Sequence, residues 1–264
     1  MNDVVQTRYT FAVLWHTLIL ESAIQLFRRE NMKRNNYLPS ILFLVAGSCS
    51  STAFAGSWLL GFSPADTVAP GSYSAIAGTG GQWSSVGDPR HDSFTPFLAH
   101  AGIRTGLTDS WDIGYRLATI ALPYSSMGPT LGAEIDIKHR LTDKRNPWQV
   151  AVVAGVGYAY LDIQGQSKNA WSPGVDMIVS HQVAPGYTAF ADIRYVYTEI
   201  PSANGGASAN HFQAFGPGVG VKIKLKENVS LIPEIGMFNF NGNIAGQRAN
   251  GIGVQYGAVL GFSF

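Results

Sequence analysis

"GIGVQYGAVLGFSF", residues Gly251–Phe264, alternates along its whole length. Ile252, Val254, Tyr256, Ala258, Leu260, Phe262 and Phe264 fall on one face. Gly253, Gln255, Gly257, Val259, Gly261 and Ser263 fall on the other. A period of two is the mark of a β-strand between two different environments. In a soluble sandwich the apolar face would meet a core. In a membrane barrel it would meet lipid, and the small or polar face would line the lumen. The rest of the chain has to separate these readings.

Composition favours the second. Of the 264 residues, 13% are charged, 12% are aromatic and 30 are Gly. That charge content is about half of what a soluble domain carries. A mean hydropathy of +0.07 argues against a bundle of transmembrane helices. The net charge of +1 supplies no strong field for nucleic acid.

A targeting pattern lies inside the chain. Met32-Lys33-Arg34 is followed by the apolar run Ile41 to Gly47 and by Ala53-Phe54-Ala55 before Gly56. A basic start, a short apolar run and an A-x-A site form a signal peptide, and the run is too short to span a bilayer. Residues 1–31 are therefore read as an upstream extension, or as lying before the true start at Met32. The alternative for them is an amphipathic helix around Phe11 to Phe27. Residues 32–55 are the signal peptide, residues 56–69 a short periplasmic segment, and residues 70–264 the main domain. Cleavage between Ala55 and Gly56 leaves 13 basic and 14 acidic residues. It also removes Cys49, the one cysteine, so no disulfide or Cys-ligated metal is expected. Cys49 follows Ala46-Gly47-Ser48, a loose match to a lipidation signal that lacks its usual Leu.

From Pro70 onward the alternation predicts ten strands, near 70–83, 94–107, 111–123, 129–141, 148–161, 171–183, 187–199, 211–225, 229–241 and 251–264. Short connections (Thr108-Asp109-Ser110, Thr142 to Pro147, Ala184-Pro185-Gly186, Lys226-Glu227-Asn228) alternate with mostly longer Gly/Ser/Asn-rich ones such as "SANGGASAN", Ser202–Asn210. Leu131, Ala133, Ile135 and Ile137 mark one outward face, and Phe215, Val219, Val221, Ile223 and Leu225 another. Trp111, Trp148, Tyr187 and Phe264 gather at one end. Phe97, Tyr158, Tyr160, Trp171, Tyr195, Tyr197 and Phe215 lie nearer the other. Two aromatic girdles around an aliphatic band are what two membrane interfaces select. Pro217 and Pro233 fall within strands, where a missing N–H suggests bulges.

With its alternating strands, "GLTDSWDIGYR" (Gly106–Arg116) and the terminal "VLGFSF", residues 70–264 resemble the small outer-membrane β-barrel proteins of Gram-negative bacteria. The resemblance implies an all-β, antiparallel up-and-down barrel in the bacterial outer membrane, with both chain ends periplasmic. It implies dealings with outer-membrane lipid, periplasmic chaperones and the barrel-assembly machinery. It also implies that Tyr256, Phe262 and Phe264 form an assembly signal in the last strand. A monomer is expected.

The opposite parity lists the lumen: His100, Arg104, Asp112, Arg116, Glu134, Asp136, Lys138, Arg140, Asp176, Asp192, Arg194, Lys222, Lys224 and Glu234. Charge facing lipid at midplane costs about 2–4 kcal/mol for Arg or Lys, so charges belong inside. His139 and His181 have outward parity near the periplasmic ends. Hairpin geometry predicts Asp176 opposite Arg194. It sets Arg116 opposite Asp136 and Asp112 opposite Arg140. A two-residue slip would instead pair Arg116 with Glu134 and Asp112 with Lys138. The lumen is read as occluded by salt bridges, the alternative being a narrow or gated channel for ions or small solutes.

A surface hydrolase would draw on Asp88, His91, Asp92, Ser93 and His211, but His91 and His211 begin strands far apart around the ring. No phosphate loop, metal spacing or cofactor motif appears, so no cofactor is expected. A surface adhesin would use the loops around 81–91, 165–170, 201–210 and 242–250, which are short and carry little charge.

Overall fold

The computed structural model describes residues 61–120, 130–163, 166–200, 210–244, 247–248 and 250–264. Their strands are β1 Tyr73–Val86, β2 His91–Gly106, β3 Trp111–Ile120, β4 Thr130–Arg140, β5 Trp148–Ile163, β6 Gln166–Ala184, β7 Tyr187–Ile200, β8 Asn210–Lys226, β9 Val229–Ile244, β10 Gln247–Arg248 and β11 Gly251–Ser263. All pairings between these strands are antiparallel. Apart from the two-residue β10, each strand pairs with its neighbour, and β11 pairs with both β9 and β1. The sheet therefore closes, and closure removes both edges. At the seam the backbones of Phe264 and Tyr73 exchange hydrogen bonds of 2.9 and 3.2 Å, so the last residue is zipped onto the first strand.

Alternation in the sequence becomes two faces in the barrel. Ile135, Ile137, Val175, Met177, Val219, Ile235 and Met237 are exposed on the outside. Leu98, Val153, Ile178, Phe190, Val196, Ile232 and Val259 pack together inside, with Phe62. A second internal cluster, Val86, Phe212, Ala214, Phe238 and Phe240, lies toward the end bearing the longer connections. We refer to that end as the loop end and to the other as the turn end. Trp111, Trp148, Tyr187 and Phe264 are exposed at the turn end; Tyr158, Trp171, Tyr195 and Phe215 are exposed toward the loop end.

Several details differ from the sequence reading. β1 begins three residues later than expected and runs to Val86, so its connection to β2 shrinks to residues 87–90. Ser84-Ser85-Val86, expected to lie beyond the strand, pairs with both β11 and β2, and the Gly-rich stretch before it pairs too, as expected, with one bulge between Gly80 and Gln82. Pairing on both sides carries the strand through the two serines to Val86, because strand formation follows context more than intrinsic propensity. β5 and β6 likewise extend to Ile163 and from Gln166. Pro217 and Pro233 do not mark bulges. The β8–β9 ladder omits pairs beside them and resumes in unchanged register, because Pro only withholds a donor. The other bulges lie between Gln182 and Ala184 and between Lys224 and Lys226.

Residues 61–69 depart furthest from expectation. Read as part of a periplasmic segment, they instead enter the barrel and hydrogen-bond to its inner wall. The proposed cleavage residues Ala53, Ala55 and Gly56, and all of 1–60, lie outside the described residues.

Candidate functional site

Inside the barrel, long charged side chains from adjacent strands meet where glycines leave room. Arg104 on β2 donates through Nη1 to Asp112 on β3 and through Nη2 to Asp136 on β4. Gly114 lies between them. A Cβ there would sit 2.6 Å from Arg104 Nη2 and 2.7 Å from Asp136 Oδ2. Arg194 on β7 donates through Nε to Asp192 and through Nη2 to Glu234 on β9. Its guanidinium also lies 5.8 Å above the Phe238 ring. Gly218 is the matching gap, where a Cβ would fall 2.1 Å from Asp192 Oδ1. Bidentate use of a planar guanidinium suits Arg to both positions.

Asp176 does stand opposite Arg194 in the β6–β7 register. Yet its carboxylate is 4.0 Å from Arg194 Nε, and neither oxygen has a hydrogen-bond partner among the described residues. Arg194 has turned toward Asp192 and Glu234. On β3 and β4 the favoured register is not the one adopted. Arg116 faces Glu134 and Asp112 faces Lys138, the two-residue slip. Asp136 is taken instead by Arg104, a partner from β2 that hairpin reasoning between β3 and β4 did not consider.

The third constellation holds the N-terminal segment. Lys138, only 1% exposed, points its ammonium at Ser63 Oγ (2.6 Å), the Pro64 carbonyl (3.0 Å) and the Asp66 carbonyl (3.1 Å). Three oxygens match the three donors of an ammonium. Arg116 donates to the Gly61 carbonyl at 2.9 Å. In return the segment donates N–H groups: Phe62 to Glu234 at 2.5 Å, Ala65 to Ser180 Oγ at 3.2 Å and Val68 to Asp112 at 2.9 Å. The Asp66 carboxylate accepts from Lys222 at 3.0 Å. Burial would raise the Asp66 carboxyl, but Lys222, with Lys138 behind it, outweighs that and holds it below its ordinary 3.8. Phe62 adopts a left-handed φ of 62°, uncommon for a residue with a Cβ, and lays its ring 4.9 Å from that of His100.

The remaining candidates are dispersed. Arg140 donates to the Asp109 carbonyl at 2.7 Å beside the β2–β3 turn. Lys224 is exposed next to the Lys224/Lys226 bulge. At the turn-end mouth a cavity of about 390 Å³ remains, lined among others by Asp66, Arg104, Arg116, Lys138, Lys222 and Phe264. Of the hydrolase candidates, His91 and Asp92 are exposed on β2, and Ser93 shares a 2.7 Å hydroxyl contact with Ser84. His211 is on β8, with β9, β11 and β1 between it and β2. These residues do not form one site. No cluster of three or more His, Cys, Asp or Glu able to hold a metal occurs among the described residues.

Sequence reasoning missed the segment 61–68 and its acceptor Ser180. Most of the barrel's hold on this segment is through backbone groups, which carry no signature in residue type.

A closed antiparallel barrel with an aliphatic exterior, aromatic rims and charges turned inward reverses the pattern of a water-soluble fold. It defines a transmembrane β-barrel of the outer-membrane type. No family model matches the chain, and no curated protein matches it in sequence. In structure it is similar to the outer membrane protease OmpT from Escherichia coli, at 10% identity and a TM-score of 0.47, covering 76% of this chain and 100% of that one. It is similar to an outer membrane channel from Pseudomonas putida at 12% identity and a TM-score of 0.47, covering 75% and 97%. The translocator domain of the autotransporter NalP from Neisseria meningitidis matches at 11% identity and a TM-score of 0.39, covering 86% and 94%.

Proposed function

We propose that this protein is a structural outer-membrane barrel, exported through the periplasm, whose lumen is closed by its own N-terminal segment. The turn end faces the periplasm in this reading, and the barrel performs no catalysis. The observation that carries it is the Lys138 ammonium, buried and hydrogen-bonded to Ser63, Pro64 and Asp66. A charge placed in a dry interior is costly unless its donors are satisfied, and here the segment satisfies them. The apolar cluster of Phe212, Phe238 and Phe240 supports closure of the loop-end half. Outer-membrane lipid, periplasmic chaperones and the barrel-assembly machinery are its partners, with Tyr256, Phe262 and Phe264 presenting the assembly signal.

The test is solute flux from liposomes containing the refolded protein. Leakage no faster than from empty liposomes is expected. Steady leakage of small ions would favour the second reading, a narrow or gated channel, for which the turn-end cavity and the half-exposed Lys222–Asp66 pair speak.

A further inference from the structure

Two identical devices stand on the outer surface at the turn end. Trp111 and His139 are cross-strand partners on β3 and β4, with ring centroids 4.0 Å apart and planes 18° from parallel. Trp148 and His181 repeat the arrangement on β5 and β6, at 4.4 Å and 20°. In each, imidazole Nδ1 meets a turn carbonyl: Ser110 at 3.2 Å for His139 and Pro147 at 2.8 Å for His181. A carbonyl only accepts, so Nδ1 carries the proton and donates. In the neutral ring Nε2 is then an acceptor. No partner for either Nε2 appears among the described residues, and both rings are half-exposed. The turn joining β4 to β5 connects the two devices. It carries Lys144 and Arg145, both exposed, and neither side chain forms an ion pair among the described residues.

This sector presents two imidazole acceptors, two cations and two exposed indoles at the level where Trp marks a membrane interface. Cations suit a phosphate. Neutral imidazole acceptors and indole faces suit an N–H-bearing ammonium. We propose that the β3–β6 sector of the turn-end rim binds a phospholipid with a phosphate and a primary-amine headgroup. Lys144 and Arg145 take the phosphate, and the Nε2 of His139 or His181 accepts from the ammonium, one headgroup to each imidazole, because their partners on β5, Val152 and Trp148, stand four residues apart. The proposal rests on the membrane-barrel reading and not on whether the lumen conducts.

Native mass spectrometry of membrane-extracted protein tests it. The protein is exchanged into micelles holding equal amounts of phosphatidylethanolamine, phosphatidylcholine and phosphatidylglycerol, and retained lipid is counted. A charge-assisted hydrogen bond contributes enough that retention should favour ethanolamine over choline by about tenfold. H139F/H181F keeps two stacked rings and removes the acceptors, so it should erase the ethanolamine preference. K144Q/R145Q should lower retention of all three lipids. Heat-modifiable mobility verifies that each variant is folded. Equal retention of ethanolamine and choline lipids by the wild-type protein would overturn the proposal without any variant. So would a dominant preference for phosphatidylglycerol, which marks a plain basic patch, or a preference unchanged in folded H139F/H181F. Any of these results in a protein that still embeds in bilayers would leave the barrel reading standing.

Discussion

The ammonium of Lys138 lies 3.0 Å from the carbonyl oxygen of Pro64, a residue 74 positions earlier in the chain. The lysine is on the barrel wall, and the proline is on the segment inside it. Lys138→Met should therefore release residues 61–69 while leaving the strands intact. Losing three hydrogen bonds to a charged donor should weaken docking by about 2–4 kcal/mol, less whatever desolvation the removed charge had cost. Limited proteolysis of folded barrels should trim the N-terminal segment faster in the variant, with no change in the core fragment.

Acid should release the same segment. The Asp66 carboxyl lies below its ordinary 3.8 in the folded protein. A depressed carboxyl stabilises docking above 3.8 and loses that contribution as pH falls through the lower folded value. Proteolytic trimming should be flat from neutral pH down to about pH 4 and should rise below that, wherever the barrel itself stays folded. Asp66→Asn should dock more weakly at neutral pH and should flatten the acid-dependent rise.

Arg194 offers a ranking. Its Nη2 reaches Glu234, while Asp176 is 4.0 Å from its Nε. Double-mutant cycles in refolded barrels should give an Arg194–Glu234 coupling of about 2 kcal/mol and an Arg194–Asp176 coupling under about 1 kcal/mol. The reverse order would mean that cross-strand register, and not side-chain geometry, sets the pairing.

Gly218 makes room for Asp192. A methyl group placed 2.1 Å from Asp192 Oδ1 cannot be accommodated without displacing the carboxylate from Arg194. Gly218→Ala should lower unfolding stability by about 1–3 kcal/mol in urea titrations. The effect of Gly218→Ala should shrink when Asp192→Ala is already present, because the tightest contact is gone and only Arg194 Nη2, at 2.8 Å, has still to give way.

Residues facing lipid and residues facing the lumen alternate so regularly that β11 could be read from Gly251 to Phe264 alone. The side-chain period is two, so parity survives errors in strand ends. Strand ends did not survive as well. Ser84-Ser85-Val86 reads as the start of a loop by residue type and is a paired strand by context. Pairing across the wall was legible for Asp176 and Arg194 because their turn is short. The partner of Asp136 was not, because Arg104 comes from a third strand. The docked segment was invisible for a different reason. Apart from Ser63 and Asp66, its hold is mostly through backbone carbonyls and N–H groups, which residue type does not reveal.

Single-channel recording compares refolded residues 56–264 with the same polypeptide lacking residues 56–69. A silent bilayer is expected for the intact chain and ion-conducting events for the truncated one. Steady conductance by the intact chain would contradict a lumen closed by its own segment, and equal silence from a correctly folded truncated barrel would show that the segment is not what closes it.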